Sequence, residues 1–155
     1  MLPEIPSHVT LVAIDFDHES LQDVLQIHRF AGDLPTFYIW EGVTQYLNEA
    51  GVRATFESLA GTPVGSRLVF TYVRKDFIDG RVLYGHEYLR KRMAIKNNVW
   101  LFGMEPEQVS AFIAPYGWRV LEHLGHEDIA DHFVKPTGRT LLTTPIERMV
   151  YAEKE

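Results

Sequence analysis

Apolar residues occupy both alternating faces of residues 8–16 (HVTLVAIDF), as in a strand covered on both sides, so this segment is expected to be a buried parallel strand. In the DHESLQDVLQIHRF that follows, Leu21, Val24, Leu25 and His28 recur at three-and-four spacing behind Asp17 or Ser20 as a cap, which predicts an amphipathic helix. Gly32, Asp33 and Pro35 break that pattern, and residues 35–42 (PTFYIWEG) restore an aromatic-rich strand. Strand, helix and strand together predict a parallel crossover unit. Asn48 can cap a second helix carrying Val52, Phe56 and Leu59, which stops at Gly61 and Pro63 before the strand Arg67–Val73. Periodicity weakens over residues 74–103, where Tyr84, Tyr88, Trp100 and Phe102 alternate with basic residues, so this stretch reads as an insertion or lid over a site edge. Pro106 suits a first helical position, Val109, Phe112 and Ile113 form an apolar stripe, and Gly117 ends that helix before the strand WRVLEHL. Residues 146–154 (IERMVYAEK) follow a Pro-Thr-Gly-Arg loop with no long helix between, which predicts an antiparallel last strand.

With 155 residues and no repeat or linker, the pattern fits one α/β domain over residues 1–155. Apolar residues at 46% and charged residues at 23% exclude wholesale disorder and predict a soluble, folded chain. Fifteen Lys and Arg against 21 Asp and Glu give a net charge of −6, the wrong sign for a phosphate-backbone partner, so no nucleic acid is expected. The basic group Arg90, Lys91, Arg92 and Lys96 beside Tyr88 and Trp100 is therefore read as a solvated lid surface. The absence of cysteine removes disulfides, thiolate zinc sites and cysteine nucleophiles, and suits a cytoplasmic setting. The first residues lack a basic and then apolar secretory pattern, and no apolar run approaches the roughly 20 residues of a membrane span, so no membrane partner is expected.

Two acids, Asp15 and Glu41, each end an apolar strand and precede a helix. In open α/β sheets ligands bind beyond the carboxyl ends of strands, where an acid accepts hydrogen bonds from ribose, amine or ammonium groups, so both acids are expected at one crevice. The alternative is that each carboxylate caps the helix after it, and spacing alone leaves both readings open. Glu41, between Trp40 and Gly42, is costly to desolvate without a partner, and a cationic ligand group would supply one. Tyr72 and Arg74 leave the third strand at the same sheet edge, where an arginine can hold an acidic substrate, although the plainer reading is a solvated cation. His123, His126 and His132 with Asp128 have side chains that can ligate zinc, but in no recognised spacing, and no metal is expected.

The segments VAIDF, PTFYIWEGVTQYL, SRLVFTYV, WLFGMEPEQVSAFIAPYGWRV, and PTGR with PIERMVYAEK resemble the C-terminal part of leucine carboxyl methyltransferase-like enzymes, which are class I, S-adenosylmethionine-dependent methyltransferases. The resemblance runs over essentially all 155 residues, and EGVxxYL is its most specific piece. It implies a Rossmann-like sheet of order 3-2-1-4-5-7-6, mostly parallel with an antiparallel last strand. It also implies that Asp15 and Phe16 meet the adenine of S-adenosylmethionine, that Glu41 faces its methionine end, and that Tyr46 lies near the substrate; the alternative for Tyr46 is a buried aromatic with a bonded hydroxyl.

Such enzymes begin with a strand and a glycine-rich cofactor loop, then a second strand ending in a ribose-binding acid. No G-x-G occurs in this sequence, and Gly61-Thr-Pro-Val-Gly65 follows a helix and precedes a strand, the wrong order for that loop. The resemblance thus implies an incomplete sheet that lacks the first two strands, with a gap of roughly 14 Å at about 4.8 Å per strand between residues 8–16 and 35–42. Closure is expected by direct pairing of those segments, by self-association, or by a missing N-terminal half. The implied activity is methyl transfer to an oxygen of a small acceptor, a carboxylate or hydroxyl, with no protein nucleophile and no catalytic residue assigned; the chain alone is expected to be inactive. Two alternatives stand beside it, a non-catalytic remnant or partner subunit that binds another chain, and an α/β metal hydrolase built on the histidines.

Overall fold

The computed structural model describes residues 5–16 and 18–155. Its centre is strand β2, Arg67–Val73, in which Leu68, Phe70 and Tyr72 alternate with half-buried neighbours and are themselves fully buried. This strand pairs parallel with β1, Phe37–Trp40, Tyr38 lying beside Leu68 and Trp40 beside Phe70. On its other side comes β4, Glu147–Lys154, antiparallel to β2 and also to β3, Trp118–Leu124, with a register shift between Val120 and Glu122. The order is β1-β2-β4-β3, so β4 inserts between two strands that run opposite to it. This is an open α/β sheet with an antiparallel last strand, as the sequence predicts.

Helices cover one face. Helix α1, Leu21–Ile27, is capped by Ser20, whose Oγ accepts the Asp23 N–H at 3.4 Å. Helix α2, Glu49–Ala60, is capped by Asn48, whose Oδ1 accepts the Gly51 N–H at 2.8 Å. Val52, Phe56 and Leu59 of α2 bury against Trp40, Leu68 and Phe70, and the same core takes in Val150, Ala152 and Trp118. After β2 come two one-turn helices, α3, Lys75–Ile78, and α4, Glu87–Arg90, then a π-helical turn, Lys91–Lys96. That excursion is tied back to the sheet by a parallel bridge between Arg74 and Met104 and by the Lys75 N–H to the Met104 carbonyl at 3.0 Å. Helix α5, Val109–Ile113, follows a Pro106–Gln108 turn and adds Val109 and Ile113 to the core. Gly117, at φ +77°, makes the left-handed turn into β3. Helix α6, His126–Ile129, begins the last excursion before β4.

One expected element is absent. Residues 8–16 form no strand, so the first crossover unit is not made, and β1 is an outer strand of the sheet. The cause is that two-sided apolar patterning gives a segment strand propensity but not a ladder partner, and unpaired backbone groups stay solvated when none is offered. Leu11 is accordingly 72% exposed. The alternative cap Asp17 lies outside the described residues. No helix among the described residues is long and apolar enough to cross a membrane.

Candidate functional site

At the carboxyl end of β1 the chain passes Glu41 into Gly42, whose φ of +68° permits the sharp turn a side chain would strain. The turn is pinned to β2: the Gly42 N–H donates to Thr71 Oγ1 at 2.9 Å, and Thr44 Oγ1 donates to the Thr71 carbonyl at 2.8 Å. Glu41 is exposed and lines a cleft of about 320 Å³ with Thr71, Phe133, Leu142, Glu147 and Met149. Two carboxylates and an apolar wall suit a ligand that combines a cationic group with an apolar body. Glu147 and Phe133 had no individual mark in the sequence, because only the pairing of β4 beside β2 brings them to Glu41.

Asp15 does not share that cleft. Its carboxylate stands 2.9 Å from His18 Nδ1, its N–H donates to Glu19 Oε2 at 2.7 Å, and its carbonyl accepts the N–H groups of His18 and Glu19, so it organises the turn before α1. Phe16 lines a second, apolar cleft of about 340 Å³ with Leu21, Leu25, Phe30, the β1 residues and Leu59. The single crevice expected for both acids is therefore not formed, since residues 8–16 are not a strand whose carboxyl end aligns with that of β1.

Tyr46 is 46% exposed and meets Trp100 edge-on at 6.5 Å, so it is not a buried aromatic. The excursion after β2 reaches this loop directly, because the Leu101 N–H donates to the Gln45 carbonyl at 2.7 Å. Arg74 is not simply solvated: its Nε and Nη2 donate to Asp76 Oδ1 and Oδ2 at 3.1 and 2.6 Å, and its guanidinium lies 5.3 Å from the Tyr84 ring centre. These partners raise the Arg74 pKa further.

Tyr72 is fully buried, and burial pushes its hydroxyl well above the ordinary tyrosine range. The hydroxyl lies 2.8 Å from His123 Nε2, and Arg148 Nε donates to that same nitrogen at 3.1 Å. A guanidinium only donates, so His123 Nε2 is an acceptor, Tyr72 donates to it, and the ring proton sits on Nδ1. Burial first, and then the Arg148 charge, lower the His123 pKa from its usual value. The unfolded chain therefore binds this proton more readily, and the stability contributed by neutral His123 is present above the unfolded value near 6.5 and is lost as pH falls below it. The urea midpoint should fall between pH 7.5 and 5.5, and His123→Gln should flatten that slope; an equal slope in both proteins would remove His123 as the cause.

His123 is thus committed to Tyr72 and Arg148, while Asp128 Oδ2 accepts the Gly125 N–H at 2.8 Å at the start of α6. Among the described residues no three His, Asp or Glu side chains converge as a metal site.

Residues 2–60 match the model of the leucine carboxyl methyltransferase family, a span that contains Asp15, Phe16, Glu41 and Tyr46. No curated protein matches the chain. Among solved structures, a possible exported protein from Bordetella parapertussis has 12% identity and a TM-score of 0.52, covering 79% of this chain and 39% of its own. The mitomycin 7-O-methyltransferase MmcR has 15% identity and a TM-score of 0.50, covering 86% of this chain and 38% of its own. Magnesium protoporphyrin IX methyltransferase from Synechocystis PCC 6803, solved with bound SAH, has 12% identity and a TM-score of 0.48, covering 81% of this chain and 47% of its own. The chain thus spans less than half of each of these proteins. Residues 2–60 are similar to the leucine carboxyl methyltransferase family, and the described residues adopt the open α/β fold found in a methyltransferase.

Proposed function

We propose that this chain belongs to the machinery of an S-adenosylmethionine-dependent methyl transfer to an oxygen of a small acceptor. The observation that carries this reading is the family match over residues 2–60, which includes the acid at the carboxyl end of β1. When bound, S-adenosylmethionine supplies an electrophilic methyl group. Glu41, exposed at the mouth of an acidic and apolar cleft, fits a cationic amino-acid end. Asp15 and Phe16, the adenine contacts of this reading, stand apart from Glu41, and the sequence holds no G-x-G cradle, so the contact set is not joined within this arrangement. Arg74 is engaged by Asp76, which leaves Tyr46, beside Trp100, as the exposed member of the substrate set. Preorganisation supplies much of small-ligand affinity, so half a cradle binds poorly.

Calorimetric titration tests this. The 155-residue chain alone should show no micromolar affinity for S-adenosylmethionine. An assembly with a segment carrying the family's glycine-rich loop should bind it, and Asp15→Ala or Glu41→Ala should then weaken binding by about 1–3 kcal/mol each, the scale of losing a hydrogen bond to a charged group. Two alanine variants that bind like the parent would overturn the site. Micromolar binding and methyl transfer by the chain alone would overturn the need for a separate cradle.

The second reading, a non-catalytic subunit that binds another chain, is favoured by one feature, the unjoined contact set. It predicts that the assembly forms while S-adenosylmethionine stays unbound.

A further inference from the structure

Strand β1 is an unprotected edge. Among the described residues it pairs with β2 alone. Edges of soluble sheets are ordinarily guarded by charge, proline or a bulge, yet residues 36–40 read Thr-Phe-Tyr-Ile-Trp. On the face away from the helices Phe37 and Ile39 are 56% and 69% exposed. On the helix face the apolar cleft of about 340 Å³ takes in every residue from Thr36 to Trp40, with Leu21 and Leu25 of α1 opposite. A cleft lined by five successive strand residues follows the strand itself, which is the shape an added strand fills.

We propose that β1 pairs antiparallel with β1 of a second copy of this chain, joining two four-stranded sheets into one. This rests on the edge and its sequence, not on the methyltransferase reading. The register follows from symmetry and charge. A two-fold axis normal to the sheet keeps each face, so opposed residues must point to the same side. Centring on Phe37 sets Glu41 against Asp33 of the copy, twice, a like-charge opposition that is destabilising. Centring on Ile39 sets Phe37 against Glu41. Centring on Tyr38 instead sets Phe37 against Ile39 in both directions, places Glu41 opposite Pro35, and opposes no like charges.

The self-complementary Tyr38 register is what favours a second copy over an unrelated strand. The chain's own residues 8–16 are the other occupant. They reach the same cleft through Phe16 without forming a ladder. A pairing of this length falls short of the roughly 1,600 Å² typical of stable complexes, so the dimer should be micromolar.

Because the chain has no cysteine, introduced thiols report the register cleanly. Phe37→Cys and Ile39→Cys alter exposed side chains, and Leu11→Cys, at an exposed position away from β1, serves as the control. Light scattering of the parent should show a monomer–dimer equilibrium at micromolar concentration. Mild oxidation of mixed Phe37→Cys and Ile39→Cys proteins should give several-fold more cross-linked dimer than either alone, because only the mixed pair stands directly opposed at disulfide distance. Ile39→Lys, with unchanged circular dichroism, should be monomeric. A monomer at all concentrations overturns the proposal, as do equal cross-linking by each variant alone or by Leu11→Cys, and a dimer that survives Ile39→Lys. Concentration-independent hydrogen-exchange protection over both 8–16 and 37–40 would show that the chain covers its own edge, and also overturns it. None of these readouts depends on S-adenosylmethionine, so failure here leaves the cofactor titration unaffected.

Discussion

Replacing Phe56 by alanine should lower the stability of the chain by about 3–5 kcal/mol, the range for removing a buried phenylalanine. Phe56 has no exposed surface and stands where α2 meets the sheet. Its ring lies edge-on to Trp40 at 5.6 Å and to Phe70 at 5.5 Å, stacks on Tyr116 at 5.5 Å, and meets Phe112 at 5.9 Å. Four aromatic neighbours from β1, β2 and the α5 region converge on it, so truncation leaves a cavity that rigid rings cannot close by small rotations. A loss of this size is a large share of the about 5–15 kcal/mol that holds an ordinary domain together. The urea midpoint should fall steeply with little change in m, while Tyr88→Ala, at a residue 75% exposed, should stay within about 0.5 kcal/mol. Equal midpoints for the two variants would show that the aromatic cluster is not the centre of the fold.

Where a segment's fate is set by its own residues, the sequence is a good guide. Strand β2 has the predicted bounds, β4 starts one residue later than predicted, and Asn48 caps α2 as its side chain allows. The antiparallel last strand was legible because no long helix stands before it to carry a crossover. Residues 8–16 fail for a physical reason of another kind: their apolar pattern is compatible with a strand, but pairing needs an edge, and the described fold does not bring one to them. The site divides along the same line. Glu41 is readable because it directly follows β1, whereas its cleft companions Glu147 and Phe133 arrive only through long-range pairing. Arg74 looked like a solvated cation or a substrate anchor; a carboxylate two residues later, in the turn that starts α3, captures it. The paired use of Asp15 with Glu41 depended wholly on the strand that does not form.

That capture carries the second large effect. Asp76 is 6% exposed and holds two bonds from Arg74 together with the Tyr84 hydroxyl at 2.7 Å. Its loss leaves a half-buried guanidinium and a phenol without their acceptor, at the junction where β2 hands the chain to the 74–103 excursion. Asp76→Ala should cost about 3 kcal/mol, the low end for breaking a buried pair because Arg74 retains some solvent access. Burial alone would raise the Asp76 pKa, but the Arg74 and Tyr84 hydrogen bonds outweigh it and hold the carboxyl below its ordinary value. A carboxyl depressed in the folded state adds stability above its unfolded pKa near 4, and this is lost as pH falls through the lower folded value. Asp76→Asn cannot titrate, so the difference in thermal midpoint between parent and Asp76→Asn should be full at pH 6 and narrow as pH drops below about 4. A gap that stays constant down to pH 3 would mean that the charge of Asp76 contributes nothing, and that shape alone holds this junction.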